Sequence, residues 1–313
     1  YPAQTVLCMS KDLIPPGYFR FPEVWGGSAF ANAGTAGRGR MMHGENSMPA
    51  ANGLGLTFDT VASAYEKFRP GYVDELYRTL FRYVPIDETS NVAEIGIGGG
   101  QATLPVLRTG CRLTAVEYGA HFCELCREKF RDYPNFSVVM GKFEDVALKS
   151  HAFDLIYSAS AFHWVPEEIG YPKVFSLLKN GGVFARFANH PDRGKANPAL
   201  SREIDAIYAE YYYKYYDKKP EKQKAYSEEQ ARRRAAVAEK YGFTDIRYEL
   251  FSRTRTFSAR EYVRLLGTYS DHIAMEEKQR MAFFSRMEEA IDRHGGKIVL
   301  FDTIDLELAR KSG

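Results

Sequence analysis

Residues 91–107, NVAEIGIGGGQATLPVL, set four glycines in five positions directly after an apolar run that carries one acid, Glu94. Glycine reaches positive φ without steric cost, so a loop of this composition at a strand-to-helix passage lets backbone approach a ligand closely. That arrangement belongs to a sheet whose strands are buried on both faces and joined by crossover helices. The rest of the chain has the matching pattern. Short apolar runs, RLTAVEYG, FSVVMG, FDLIYSAS and GGVFARFA, alternate with helical segments such as AHFCELCREKFRDY and YPKVFSLLKN. FDTVASAYEKFRPGY and VDELYRTLFRYV predict two lead-in helices, with Phe58, Val61, Ala62 and Tyr65 on a face of the first and Leu76, Leu80 and Phe81 on a face of the second. FTDIRYELFSRTRTF and GGKIVLFDTIDLELARK predict a late β pair that completes the same sheet. The fold class expected is α/β, a doubly wound sheet.

The glycine spacing discriminates between ligands. A dinucleotide fingerprint needs G-x-G-x-x-G, but the third position is Gln101 when counted from Gly96 and Thr103 when counted from Gly98. A phosphate-binding P-loop needs Gly-Lys followed by Ser or Thr, which this stretch lacks. What fits is E-x-G-x-G-x-G, formed by Glu94, Gly96, Gly98 and Gly100. CELC sets Cys123 and Cys126 one turn apart on a crossover helix, a spacing that packs rather than ligates, and no metal is predicted.

That loop and five further segments, taken in order, resemble the class I S-adenosylmethionine-dependent methyltransferases, in particular the methyltransferase type 11 and trans-aconitate-methyltransferase-like small-molecule branch. The segments are FDTVASAYEKFRPGY, AEIGIGGGQAT, LTAVEYG, FEDVAL, FDLIYSASAFHWV and LLKNGGVFARF, and the resemblance runs from about Phe58 to Arg310. It implies a Rossmann-like seven-stranded mixed sheet with a helical lid insertion at about 191–240. It also implies S-adenosylmethionine as cofactor and methyl transfer to a small-molecule acceptor. By the same resemblance Gly96, Gly98 and Gly100 line the methionine and ribose part, Glu94 anchors the loop on the ammonium side, and Tyr65 and Arg69 close over the methionyl carboxylate. Glu117 receives the ribose hydroxyls, Tyr118 touches the adenine, and Ser158 ends the strand facing the cofactor. Where the family often has an acid for the adenine amino group this chain has Lys142, which leaves Phe143 or Glu144 for that contact.

The acceptor side follows the fourth strand, at SASAFHWV. His163 is the candidate general base because an imidazole ordinarily titrates near neutrality, with a histidine bonded to a neighbouring loop as the other reading. Trp164 is a wall. In NPALSREIDAIYAEYYYKYYDKK, Tyr208 and Tyr212 lie on an aromatic stripe that serves a lid, a core or a dimer contact; Tyr269 and His272 of LLGTYSDHIA complete the expected acceptor set. A second reading keeps the fold but makes the protein a cofactor- or effector-binder without turnover.

Composition bounds the setting. Forty-two Lys and Arg against forty Asp and Glu leave a net charge of +2, which offers no footprint for nucleic acid or an anionic membrane. No apolar run approaches the roughly 20 residues of a membrane span, and the four cysteines form no secretory framework, so a reduced, cytoplasmic monomer or homodimer is expected. Residues 1–50, rich in Gly, Ala and Asn, read as a disordered leader ahead of a domain at 51–313.

Overall fold

The computed structural model describes residues 69–221 and 225–313; the expected leader, the first lead-in helix and Tyr65 lie outside the described residues. Helix α1 (Asp74–Tyr83) buries Leu76, Tyr77 and Leu80 along one face. It opens with Asp74 and Glu75 and closes with Arg82, charges that complement the helix dipole. Then come β1 (Asn91–Ile95), α2 (Thr103–Leu107), β2 (Arg112–Glu117), α3 (Ala120–Lys129), β3 (Phe136–Met140) and β4 (Phe153–Ala159). A single 3-10 turn at Phe162–Trp164 leads into α4 (Glu167–Leu177) and β5 (Leu178–Asp192). The C-terminal part holds α5 (Pro198–Ile207), a π-helical turn at Tyr208–Tyr213, α6 (Glu228–Ala236), β6 (Phe243–Ser258), α7 (Ala259–Leu266), α8 (Ser270–Ile273), α9 (Glu277–Arg293) and β7 (Lys297–Lys311).

The seven strands form one mixed sheet in the order β3-β2-β1-β4-β5-β7-β6. Strands β3 to β5 are mutually parallel, whereas β7 lies antiparallel between β5 and β6. From β1 the chain winds outward through β2 to β3 and then returns to place β4 on the other side of β1. The carboxyl ends of β1 and β4 therefore flank a crevice, the place where doubly wound sheets bind ligands. The glycine loop leaves β1 there, and SASAFHWV leaves β4 beside it.

Alternation along the strands divides the core. Val92, Leu155, Tyr157 and Phe187 pack on one face with α1, while Ala93, Ile95, Ile156 and Phe184 pack on the other with Tyr171 and Val174 of α4. A third cluster lies in the helical layer, where Ile204, Tyr208, Tyr212, Tyr262, Tyr269, Phe283 and Met287 come from α5, the π turn, α7, the turn after it and α9. Ser227 with Gln230, and Ser258 with Glu261, form capping boxes that set the starts of α6 and α7.

Candidate active site

At the β1 edge the loop glycines adopt φ of +70° (Gly96), +53° (Gly98) and +74° (Gly100). A Cβ at Gly96 would stand 2.4 Å from the Ala161 Cβ, and one at Gly100 would stand 2.7 Å from the Phe130 ring, so conformation and space both demand glycine there. Glu117, at the end of β2, draws the loop toward itself: its Oε2 accepts from Gly98 N at 2.8 Å and its Oε1 from Gly119 N at 2.9 Å. A carboxylate, with about four lone-pair sites, is the side chain whose chemistry suits a vicinal diol.

Glu94 is fully buried, and its Oε2 accepts from Thr103 Oγ1 (2.8 Å) and from the Tyr157 hydroxyl (2.7 Å). Its Oε1 is buried with no partner. Burial raises its pKa to about 7, against the two hydroxyl bonds that lower it and with a further rise from neighbouring Glu117. Around the loop the other predicted residues divide. Tyr118 is exposed, with Lys142 Nζ 5.5 Å above its ring. The Phe143 side chain is buried in the core, and Lys173 Nζ donates to the carbonyl of Glu144 at 3.0 Å, so each meets a partner inside the protein. Ser158 is buried and its Oγ donates to Ile95 O at 2.9 Å, tying β4 to β1.

On the acceptor side, the 3-10 turn aims His163 into a cationic neighbourhood. The residue is half-buried, but its Nε2 is shielded and meets no partner. Burial, then the charges of Arg234, Arg186 and Arg69, lower its pKa to about 3 rather than leaving it near neutrality. Trp164 stands beside it with ring centroids 5.0 Å apart, and is half-exposed. Arg69 is held by the turn after α7: it donates to Thr268 Oγ1 (3.1 Å) and Thr268 O (3.2 Å), and its guanidinium lies 4.2 Å over the Tyr269 ring.

Tyr208, Tyr212, Tyr269 and His272 are brought together, as an aromatic core rather than an open lid face. All four are essentially inaccessible, and the His272 ring lies 5.4 to 5.8 Å from the three tyrosine rings. His272 Nδ1 donates to Leu266 O at 3.1 Å, because a carbonyl oxygen can only accept; burial lowers the pKa of the ring. The structure adds residues that the sequence did not single out. Ser160 has φ +55° at the end of β4, unusual for a non-glycine residue, and its Oγ lies 2.9 Å from the Tyr72 hydroxyl. Arg186 and Arg234 belong here too, and an arginine in the otherwise apolar strand GGVFARFA was the available signal. Among the described residues no group of three or more His, Cys, Asp or Glu could hold a metal, and no helix is long and apolar enough to cross a membrane.

This is the sheet of the class I methyltransferase fold. Residues 93–185 match the family described as a methyltransferase domain. An uncharacterized methyltransferase of Schizosaccharomyces pombe is 24% identical over 231 residues, which cover 73% of this chain and 85% of the relative. Trans-aconitate 2-methyltransferase of Enterobacter sp. (strain 638) is 28% identical over 129 residues, 40% of this chain and 49% of that relative. A solved structure from Anaeromyxobacter dehalogenans bearing the name of a type II methyltransferase superposes with a TM-score of 0.54 at 19% identity, over 79% of this chain and 100% of that one. The chain has the class I methyltransferase fold with a methyltransferase domain at residues 93–185 and is similar to the trans-aconitate branch, and S-adenosylmethionine is the cofactor that its sequence leads one to expect. The residues fit that group: a buried carboxylate oxygen without a partner suits an ammonium, and the positive φ of Gly96, Gly98 and Gly100 turns the loop backbone in a way that side-chain-bearing residues resist.

Proposed function

We propose that this methyltransferase acts on a small-molecule acceptor held between the carboxyl end of β4 and the helical layer. The observation that carries the reading is the shielded, unpartnered Nε2 of His163 within reach of the charges of Arg69, Arg186 and Arg234. So enclosed a polar group favours an acceptor small enough to enter the crevice.

Bound there, S-adenosylmethionine would supply an activated methyl group to an acceptor lone pair, with the electrons of the S–C bond left on sulfur. The protein's share is alignment. Gly96, Gly98 and Gly100 would admit the cofactor close to the backbone, Glu117 would accept hydrogen bonds from the ribose hydroxyls, Glu94 Oε1 would answer the ammonium, and Arg69 would answer the carboxylate. Tyr118 and the backbone of Phe143 and Glu144 border the adenine, and Ser158 holds the two strand ends in register. His163 stays neutral at physiological pH and offers a lone pair to an acceptor proton, while Trp164 walls the opening. Tyr208, Tyr212, Tyr269 and His272 shape the helical layer above. The test is formation of S-adenosylhomocysteine from S-adenosylmethionine with a panel of hydroxyl, amine and carboxylate acceptors, alongside calorimetric titration with S-adenosylhomocysteine and NAD. Tighter binding of NAD overturns the cofactor assignment. Cofactor binding without turnover on any acceptor of the panel favours the binding protein over the enzyme.

A further inference from the structure

One face of α3 grips the glycine loop from behind. Cys126 Sγ donates to Gly98 O at 3.1 Å, Lys129 Nζ donates to Gly99 O at 2.9 Å, and the Phe130 ring fills the space under Gly100. These three residues stand at i, i+3 and i+4, the spacing that puts side chains on one helical face. Burial, then the charge of Glu94, holds the Cys126 thiol well above its ordinary pKa, so it remains an S–H donor.

Two consecutive carbonyls are thus drawn toward α3, and planarity fixes the rest. In a trans peptide the carbonyl of one residue and the N–H of the next point in opposite directions. With Gly98 O turned to Cys126, the Gly99 amide is turned away from α3. The neighbouring amides are occupied: Gly96 N donates to Val116 O (2.8 Å), Gly98 N to Glu117 Oε2 (2.8 Å) and Gly100 N to Ile97 O (3.0 Å). The Gly99 amide has no partner among the described residues.

We propose that Cys126 and Lys129 are positioning residues for the cofactor, which orient the Gly98 and Gly99 peptides so that the Gly99 amide is presented to an acceptor atom of the bound nucleoside–amino acid. The proposal rests on the cofactor edge described above. Neither side chain touches the ligand; both act through the loop backbone.

The experiment is calorimetric titration of the full chain with S-adenosylhomocysteine, paired with hydrogen exchange of the loop amides in the ligand-free protein. Lys129→Met keeps the aliphatic stem and removes the donor, and should raise Kd about tenfold, as a lost bond from a charged donor implies. The same variant should speed exchange at Gly98 and Gly100 while Tm stays close to the parent. Lys129→Arg restores a donor and should recover most of the affinity. Cys126→Ala should weaken binding about threefold, since a thiol is a weak donor, and Cys126→Ser should recover it. If Cys126→Ala does not fold, the Lys129 pair decides, because Lys129 is exposed. Parent-like affinity and parent-like exchange in Lys129→Met overturn the positioning role alone. Failure of the parent itself to bind S-adenosylhomocysteine overturns the cofactor edge and this proposal with it.

Discussion

The two residues that the sequence marks for chemistry, Glu94 and His163, are both moved from their ordinary proton affinities by burial, in opposite directions. For Glu94 the folded protein holds the proton more tightly, at about 7 against the ordinary 4.5. The contribution to stability is therefore fully present below the ordinary value and is lost as pH rises through about 7. Across that window the loss is on the order of 3 kcal/mol. Glu94→Gln keeps the shape without the titration, so the ligand-free variant should gain on the parent in Tm between pH 5 and pH 8. Parallel Tm–pH curves for the two proteins would show that Glu94 is not the titrating group. For His163 the depressed value leaves the ring neutral well below pH 5, so activity should gain nothing from its deprotonation between pH 5 and pH 8. If it takes the acceptor proton even so, His163→Ala should lower kcat by roughly 100-fold, the scale of a positioned base. A kcat within a few-fold of the parent would leave alignment as the mechanism. A rise in parent activity with a midpoint near 6.5 that vanishes in His163→Gln would contradict the buried, cationic setting. An imidazole's residue type is legible in a sequence, but the three arginines whose charges reach it are not, because they arrive from three distant parts of the chain.

Among the elements, the loop between β1 and α2 was the most legible because its signal is backbone chemistry and needs no partner to be recognised. Its glycines differ in kind from others with positive φ. Gly96 at +70° faces Ala161 at 2.4 Å, whereas Gly181 at +77° would place a Cβ with nothing within 4 Å. Gly181→Ala should therefore cost about 1–2 kcal/mol, the conformational penalty alone. Gly96→Ala adds a steric conflict between two strand ends and should cost about 1–3 kcal/mol more, with loss of S-adenosylhomocysteine binding. Urea denaturation of both variants separates the two contributions, and equal costs would mean that Ala161 yields freely. The seven strands were legible for a similar reason, through their apolar runs. The insertion of β7 between β5 and β6 was not, since alternation along a strand identifies its faces and not its neighbours. The aromatic stripe through Tyr208 and Tyr212 likewise showed a face to be covered, and only α7, α8 and α9 reveal that it is covered within the chain.

Over the whole molecule, the sheet and the helical part that follows β5 are joined by buried charges that no local pattern announces. Arg186 on β5 pairs with Glu307 on β7, and Arg234 on α6 reaches both Asp305 (2.9 Å) and Glu307 (3.0 Å). Tyr226 donates to Asp305 Oδ2 at 2.9 Å and stacks on His190 with ring centroids 3.6 Å apart, while Ala188 N donates to Asp305 Oδ1 at 2.8 Å. The pairs span 121 and 71 residues of sequence, too far apart for any local pattern to announce them. Burial on its own would raise the Asp305 carboxyl, but Arg234 and His190 overcome it and hold its pKa below the ordinary carboxylate value. Its stabilisation is thus present above the ordinary value and lost as pH falls through the lowered one. Removing one partner strands the rest without water, so Asp305→Ala should destabilise by about 3–5 kcal/mol at neutral pH. Arg234→Met alone should also destabilise, but the double variant should cost less than the sum of the two, because each single change already leaves a charge without its partner. The double-mutant cycle in denaturant midpoint and slope is decisive. Additive costs would mean that α6 docks on the sheet by packing alone, and that the cations around His163 are held in place by something other than this network.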